Sequence, residues 1–129
     1  MVMISSQFGI LAPVPNHSRY LEFRAIPGSD LISVFRDMAS GITIQNVVIG
    51  LGPGLVKGLG YSIEELRPFP ALSGPGCEVP STQADLWCWV QGDDRGAIVH
   101  QARSVTHGLR QGFSPVRVVD GFKIIGVST

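Results

Sequence analysis

The stretch Asp85-Leu86-Trp87-Cys88-Trp89-Val90-Gln91 decides how the chain is read. Its strict alternation sets Leu86, Cys88 and Val90 on one side and Trp87 and Trp89 on the other, the period of a β-strand. One side is built for a core; the other carries two indoles. Gly92 and Asp93 then turn the chain into a helix from about Asp94 to Arg110, whose apolar stripe Ile98, Ala102, Val105 and Leu109 recurs at spacings of three and four. Gly112 closes that helix, and a further strand is expected from Pro115 to Phe122.

Upstream, Arg19 to Ile26 alternates in the same way, with Leu21, Phe23 and Ala25 opposed to Tyr20, Glu22 and Arg24. Pro27 and Gly28 stop it. Ser29 or Asp30 can cap a helix with the stripe Leu31, Val34, Phe35 and Met38, ending near Ser40 and Gly41. Ile42 to Ile49 is rich in β-branched residues and reads as a strand. In the long connection that follows, Pro53 to Leu59 suits a short helical turn, and Ser62-x-x-Glu65 suits a capping box. Pro68, Pro70, Pro75 and Pro80 predict that the rest is extended and irregular.

The order is strand, helix, strand, strand, helix, strand. Two interleaved split βαβ units of this kind give an α+β, ferredoxin-like βαββαβ domain: a four-stranded antiparallel sheet with both helices on one face. Residues 1–16 are expected to be an irregular lead-in, 17–123 the domain, and 124–129 a tail. The other sheet face is left open, and the strand phases place Tyr20, Glu22, Arg24, Gln45, Trp87, Trp89 and Arg117 on it. Two tryptophans are costly to leave in water, so this face is expected to meet a partner.

Composition narrows the partner. Ten basic and ten acidic residues leave a net charge of zero with no Lys/Arg run, which removes the basis for binding a phosphate backbone. Nucleic acid is excluded on that ground. The longest apolar stretch, Val47 to Val56, is broken by Gly50, Gly52, Pro53 and Gly54, so no membrane span is expected. The amino-terminal stretch lacks a basic residue ahead of its apolar part, which points to the cytoplasm rather than export. Cys77 and Cys88 are read as reduced and structural, because two thiols without clustered histidines cannot complete a zinc shell.

Other constellations reduce to structure. The cluster Gly50-Leu51-Gly52-Pro53-Gly54 has the glycine spacing of neither a dinucleotide fingerprint nor a P-loop, and reads as a turn. His100 and His107, seven apart, share a helix face without the spacing of a common metal pair and read as solvated. No catalytic Ser/His/Asp group or carboxylate pair stands out, so no catalytic, cofactor-binding or metal-binding residue is assigned.

With these segments placed, the chain resembles the amino-terminal half of DyP-type (dye-decolourising) haem peroxidases over about residues 8–123. The carrying residues are Val47-Val48-Ile49-Gly50-Leu51-Gly52, Phe69-Pro70, Ser81-Thr82-Gln83-Ala84-Asp85-Leu86 and Val119-Asp120-Gly121-Phe122-Lys123, in that order. The resemblance implies a ferredoxin-like domain of an oxidoreductase that reduces hydrogen peroxide at haem b and oxidises dyes, phenols or porphyrinogens. In the family, Asp-Gly-Phe-Lys leads into a Gly-x-x-Asp-Gly motif whose aspartate assists peroxide cleavage. The proximal histidine and distal arginine lie in a second ferredoxin-like domain. Here the chain runs Ile124-Ile125-Gly126-Val127-Ser128-Thr129, with no counterpart to any of them. The resemblance therefore implies a truncated half, inactive and without haem by itself, whose open face awaits the missing carboxy-terminal half or self-associates. The competing expectation is a homodimeric α+β barrel that encloses a small ligand between two open faces.

Overall fold

The computed structural model describes residues 6–41 and 46–124. Its elements are α1 (Phe8–Leu11), β1 (His17–Ala25), α2 (Leu31–Gly41), β2 (Val47–Leu51), α3 (Pro53–Gly58), β3 (Leu72–Gly74), β4 (Cys77–Val79), β5 (Leu86–Gly92), α4 (Arg95–Leu109) and β6 (Phe113–Phe122). The main sheet has the order β2-β5-β1-β6, every neighbouring pair antiparallel. β5 lies between β1 and β2, and β1 between β5 and β6, so each βαβ unit is split by a strand of the other. This is the ferredoxin-like order.

The core sits between the sheet and the two long helices. Phe23, Leu86 and Cys88 are fully buried on the sheet side, and Met38, Ile98, Ala102, Val105 and Leu109 face them from α2 and α4. The spacing of the last four puts all of them on one stripe, and burying each large aliphatic chain stabilises the fold by roughly 1.5–3 kcal/mol. Asp94 starts α4 by accepting the Ala97 N–H at 2.9 Å, and Asp30 does the same for Ser33 at the head of α2. Leu31, Val34 and Phe35 lie against the core while still partly exposed, so the α2 stripe is half seated.

Several local expectations need correction. The lead-in is not wholly irregular, since Phe8–Leu11 forms one helical turn that packs on β2. Ser62 and Glu65 do not build a capping box; a turn closed by the Leu66 N–H on the Ile63 carbonyl takes its place. The proline-rich stretch holds a hairpin, β3–β4, because Pro75-Gly76 fits the centre of a type II turn and Gly76 adopts φ +72°. The glycine cluster is not a turn of positive-φ residues. Gly50 belongs to β2, and Gly52 is demanded by close approach, since a Cβ there would lie 2.2 Å from the Ala84 carbonyl oxygen.

Asp85, which precedes β5, ties three segments together. Its carboxylate accepts the Ala25 N–H at 2.8 Å, its N–H donates to the Phe23 carbonyl, and its carbonyl accepts from Gly52. The two cysteines are both free, one buried and one exposed. Burial pushes the Cys88 thiol up to about 12, which leaves it unreactive near neutrality. Iodoacetamide at about pH 8 should therefore give a single adduct, on Cys77, by intact mass and peptide mapping. Modification of Cys88 in the folded chain would contradict its burial.

Candidate functional site: an aromatic sheet face

The face opposite α2 and α4 is built by strand alternation. Register sets Tyr20 beside Trp89 and Glu22 beside Trp87, with Val119 and Arg117 flanking Tyr20 and Glu22 on β6. Tyr20 stacks on both indoles, with centroids 5.9 Å from Trp87 at 20° and 5.8 Å from Trp89 at 24°; the indoles themselves are 6.3 Å apart at 44°. Each such aromatic pair contributes about 0.5–1.5 kcal/mol beyond its area. Trp89 Nε1 donates to the Ser18 hydroxyl at 2.9 Å, which satisfies the indole without water.

Glycines on the flanking strands let the rings lie flat. Gly50 stands opposite Trp87, and a Cβ there would come within 3.2 Å of the indole; at Gly121 it would come within 3.3 Å of the Tyr20 ring. The rings thereby cover neighbouring backbone, as aromatics do beside strand glycines. All three are half-buried although α2 and α4 pack on the other side of the sheet.

One corner of the face is covered. α1 lies against Val48 and Gln91 so closely that a Cβ on Gly9 would reach 2.6 Å from Val48 Cγ2. Gln91 Nε2 donates to the Gly9 carbonyl at 3.1 Å. Gln7 binds the β2 backbone twice, its Nε2 donating to the Ile49 carbonyl and its Oε1 accepting the Ile49 N–H, both at 2.8 Å. The expectation of a wholly bare face is corrected to that extent.

Of the seven residues expected here, Tyr20, Trp87 and Trp89 form the aromatic centre. Glu22 and Arg117 stand opposite each other beside it, and Arg24 follows Glu22 in phase at the exposed end. Gln45 lies outside the described residues. The phase that selected it does not hold for β2: Val47 is in the helix-side core, and Val48 and Gly50 face the aromatic side. Val47, Val48 and Ile49 are uniformly apolar, so that strand offers no alternation to read. Ser18, Gln91 and Gly121 were missed, although Ser18 and Gln91 are in phase with Tyr20 and Trp89.

On the helix side, Arg19 and Asp120 form a two-point ion pair at 2.7 and 3.1 Å. The Arg19 hydrogen bond holds the Asp120 carboxyl below its ordinary range. A haem would need an axial ligand beside an apolar slot. His17 lines a groove with Arg19 and Arg95 on the helix side, and His100 and His107 stand exposed on α4. The three histidines and the aromatic centre thus lie on opposite sides of the sheet, so no histidine among the described residues stands at the aromatic face as an axial ligand would. Among them, no group of three or more His, Cys, Asp or Glu comes together to hold a metal. No helix among the described residues is long and apolar enough to cross a membrane.

Comparison with known proteins accords with this geometry. No curated protein matches the sequence. Among solved structures, a Shewanella oneidensis protein described as a Dyp-type peroxidase aligns with TM-score 0.85 at 23% identity, over 96% of this chain and 45% of its own. A DypB variant from Rhodococcus jostii in complex with heme aligns with TM-score 0.79 at 23% identity, over 94% of this chain and 44% of its own. A dye-decolorizing peroxidase from Bacteroides thetaiotaomicron gives 0.71 at 15% identity, over 89% and 42%. These establish a shared fold, and the chain spans less than half the length of each. The family profile "Dyp-type peroxidase, N-terminal" matches residues 41–123, from the last residue of α2 to just beyond β6, and the chain belongs to that family.

Proposed function

We propose that this chain is the amino-terminal half of a haem-dependent peroxidase, and that its aromatic face docks a carboxy-terminal half that holds the haem. The observation that carries this reading is the Tyr20–Trp87–Trp89 stack. Three half-buried rings, two of them beside strand glycines, lie on a sheet face that the described residues cover at one corner only, in a chain that spans 45% of a family structure. An aromatic patch rimmed by Glu22, Arg24 and Arg117 has the make-up of an interface core with a charged rim. The haem and the residues that handle peroxide belong to the other half in this reading, so the chain alone does not turn over. Two free thiols are compatible with a reducing compartment, which favours the cytoplasm.

Two measurements test it. The purified chain mixed with haem, hydrogen peroxide and a dye should oxidise the dye no faster than free haem does. Titration with the carboxy-terminal half of the Shewanella oneidensis relative should shift tryptophan emission to the blue as the indoles are covered. Turnover well above free haem would overturn the claim of inactivity. Unchanged emission, with no complex in sedimentation, would overturn the docking role. A stable dimer of the chain alone with shielded indoles would favour the ligand-enclosing homodimer instead.

A further inference from the structure

Two surfaces away from the aromatic face are left without a role. The first is the arm between α3 and β5. Every residue from Tyr61 to Gln83 is exposed, including the large apolar side chains of Tyr61, Ile63, Leu66, Phe69, Leu72 and Val79. Among the described residues, the β3–β4 hairpin within it pairs only with itself. The arm carries Glu64, Glu65 and Glu78 against the single cation Arg67.

The second is the flank formed by α4 and β6. From Arg95 to Arg110 the chain has three arginines, two histidines and no carboxylate. Arg103, His107 and Arg110 border a groove of about 450 Å³ that Leu21 and Val118 also line. β6 ends the sheet among the described residues, none of which pairs with its outer edge as a further strand, and Val116 and Val118 are more than half exposed. An apolar, unpaired edge beside a row of cations fits an extended segment that is both apolar and acidic.

We infer that the arm of one copy occupies the α4–β6 groove of a second copy, in a reciprocal exchange that closes as a two-fold dimer. The argument is charge complementarity. A chain of zero net charge has separated an acidic apolar arm from a basic apolar groove, so two copies attract at these surfaces without net repulsion. Two equivalent contacts related by a two-fold axis satisfy both surfaces of both copies. The inference does not rest on the half-enzyme reading, because it uses the opposite side of the sheet and the arm.

The test is sedimentation velocity of the full chain with E64R/E65R and R103E/R110E, four positions that are all exposed. The wild type should sediment as a dimer at low ionic strength, its dissociation constant rising roughly tenfold or more in high salt. Each variant alone should be monomeric, because both of its contacts then oppose like charges. An equimolar mixture of the two should recover the dimer, since the reversed arm meets the reversed groove and the native arm meets the native groove. A monomeric wild type, a dimer indifferent to both reversals, or a mixture that stays monomeric would each overturn the exchange. Should R103E/R110E fail to fold, E64R/E65R and the salt dependence still decide it. Loss of the dimer with unchanged docking of a carboxy-terminal half would separate this inference from the proposed function.

Discussion

Phe23→Ala should destabilise the folded chain by about 3–5 kcal/mol. Phe23 is fully buried near the end of β1, a strand paired on both sides, with Leu86 beside it on β5 and Pro115 on β6. It packs in the cluster that joins the sheet to α2 and α4, where Met38, Val105 and Leu109 are also buried. Removing the ring loses its transfer free energy and leaves a cavity that a strand hydrogen-bonded to both neighbours closes only in part. Domains of this size are stable by about 5–15 kcal/mol, so the substitution takes a large share of the total. Urea unfolding followed by far-ultraviolet circular dichroism should show a lower midpoint with an unchanged slope. A loss below about 1 kcal/mol would mean that the sheet–helix seam is not packed as described.

Gly52→Ala should cost about 2–3 kcal/mol or more, although glycine is not needed there for its backbone angles. Gly52 has φ −76°, which any residue adopts. The cause is position. The new methyl would sit 2.2 Å from the Ala84 carbonyl oxygen, an atom of the backbone that cannot rotate away. Relief requires moving the β2–α3 junction and breaking the 2.8 Å bond from the Gly52 N–H to the Asp85 carbonyl. Gly54→Ala is the internal control: its methyl meets only Asp85 Oδ1 at 3.5 Å, and alanine favours the α3 helix. Equal unfolding midpoints for the two variants would refute the close-approach argument.

The architecture was legible wherever alternation or the 3.6 period ran unbroken. Leu86, Cys88 and Val90 are buried as their phase demands, and Ile98, Ala102, Val105 and Leu109 are all buried on α4. The aromatic centre followed from the same phase, since Tyr20, Trp87 and Trp89 oppose clearly apolar neighbours. What escaped lacks a periodic signal. β2 is apolar on both sides, so its phase could not be taken from residue type. α1 is one turn long, held by the Gln7 and Gln91 side chains, and nothing local announces such contacts across more than forty residues. The β3–β4 hairpin was hidden because four prolines argued for extended chain, while Pro75-Gly76 alone carried the reversal.

Gln7 has a consequence that reaches beyond its own bonds. By engaging both backbone groups of Ile49, its side-chain amide acts as a strand one residue long and seals part of the β2 border against recruitment. The β6 border has no such stopper among the described residues. Addition of a foreign strand to the main sheet is thereby favoured at β6 over β2, an asymmetry that favours pairs of molecules over the repeating cross-β stacking from which fibrils grow.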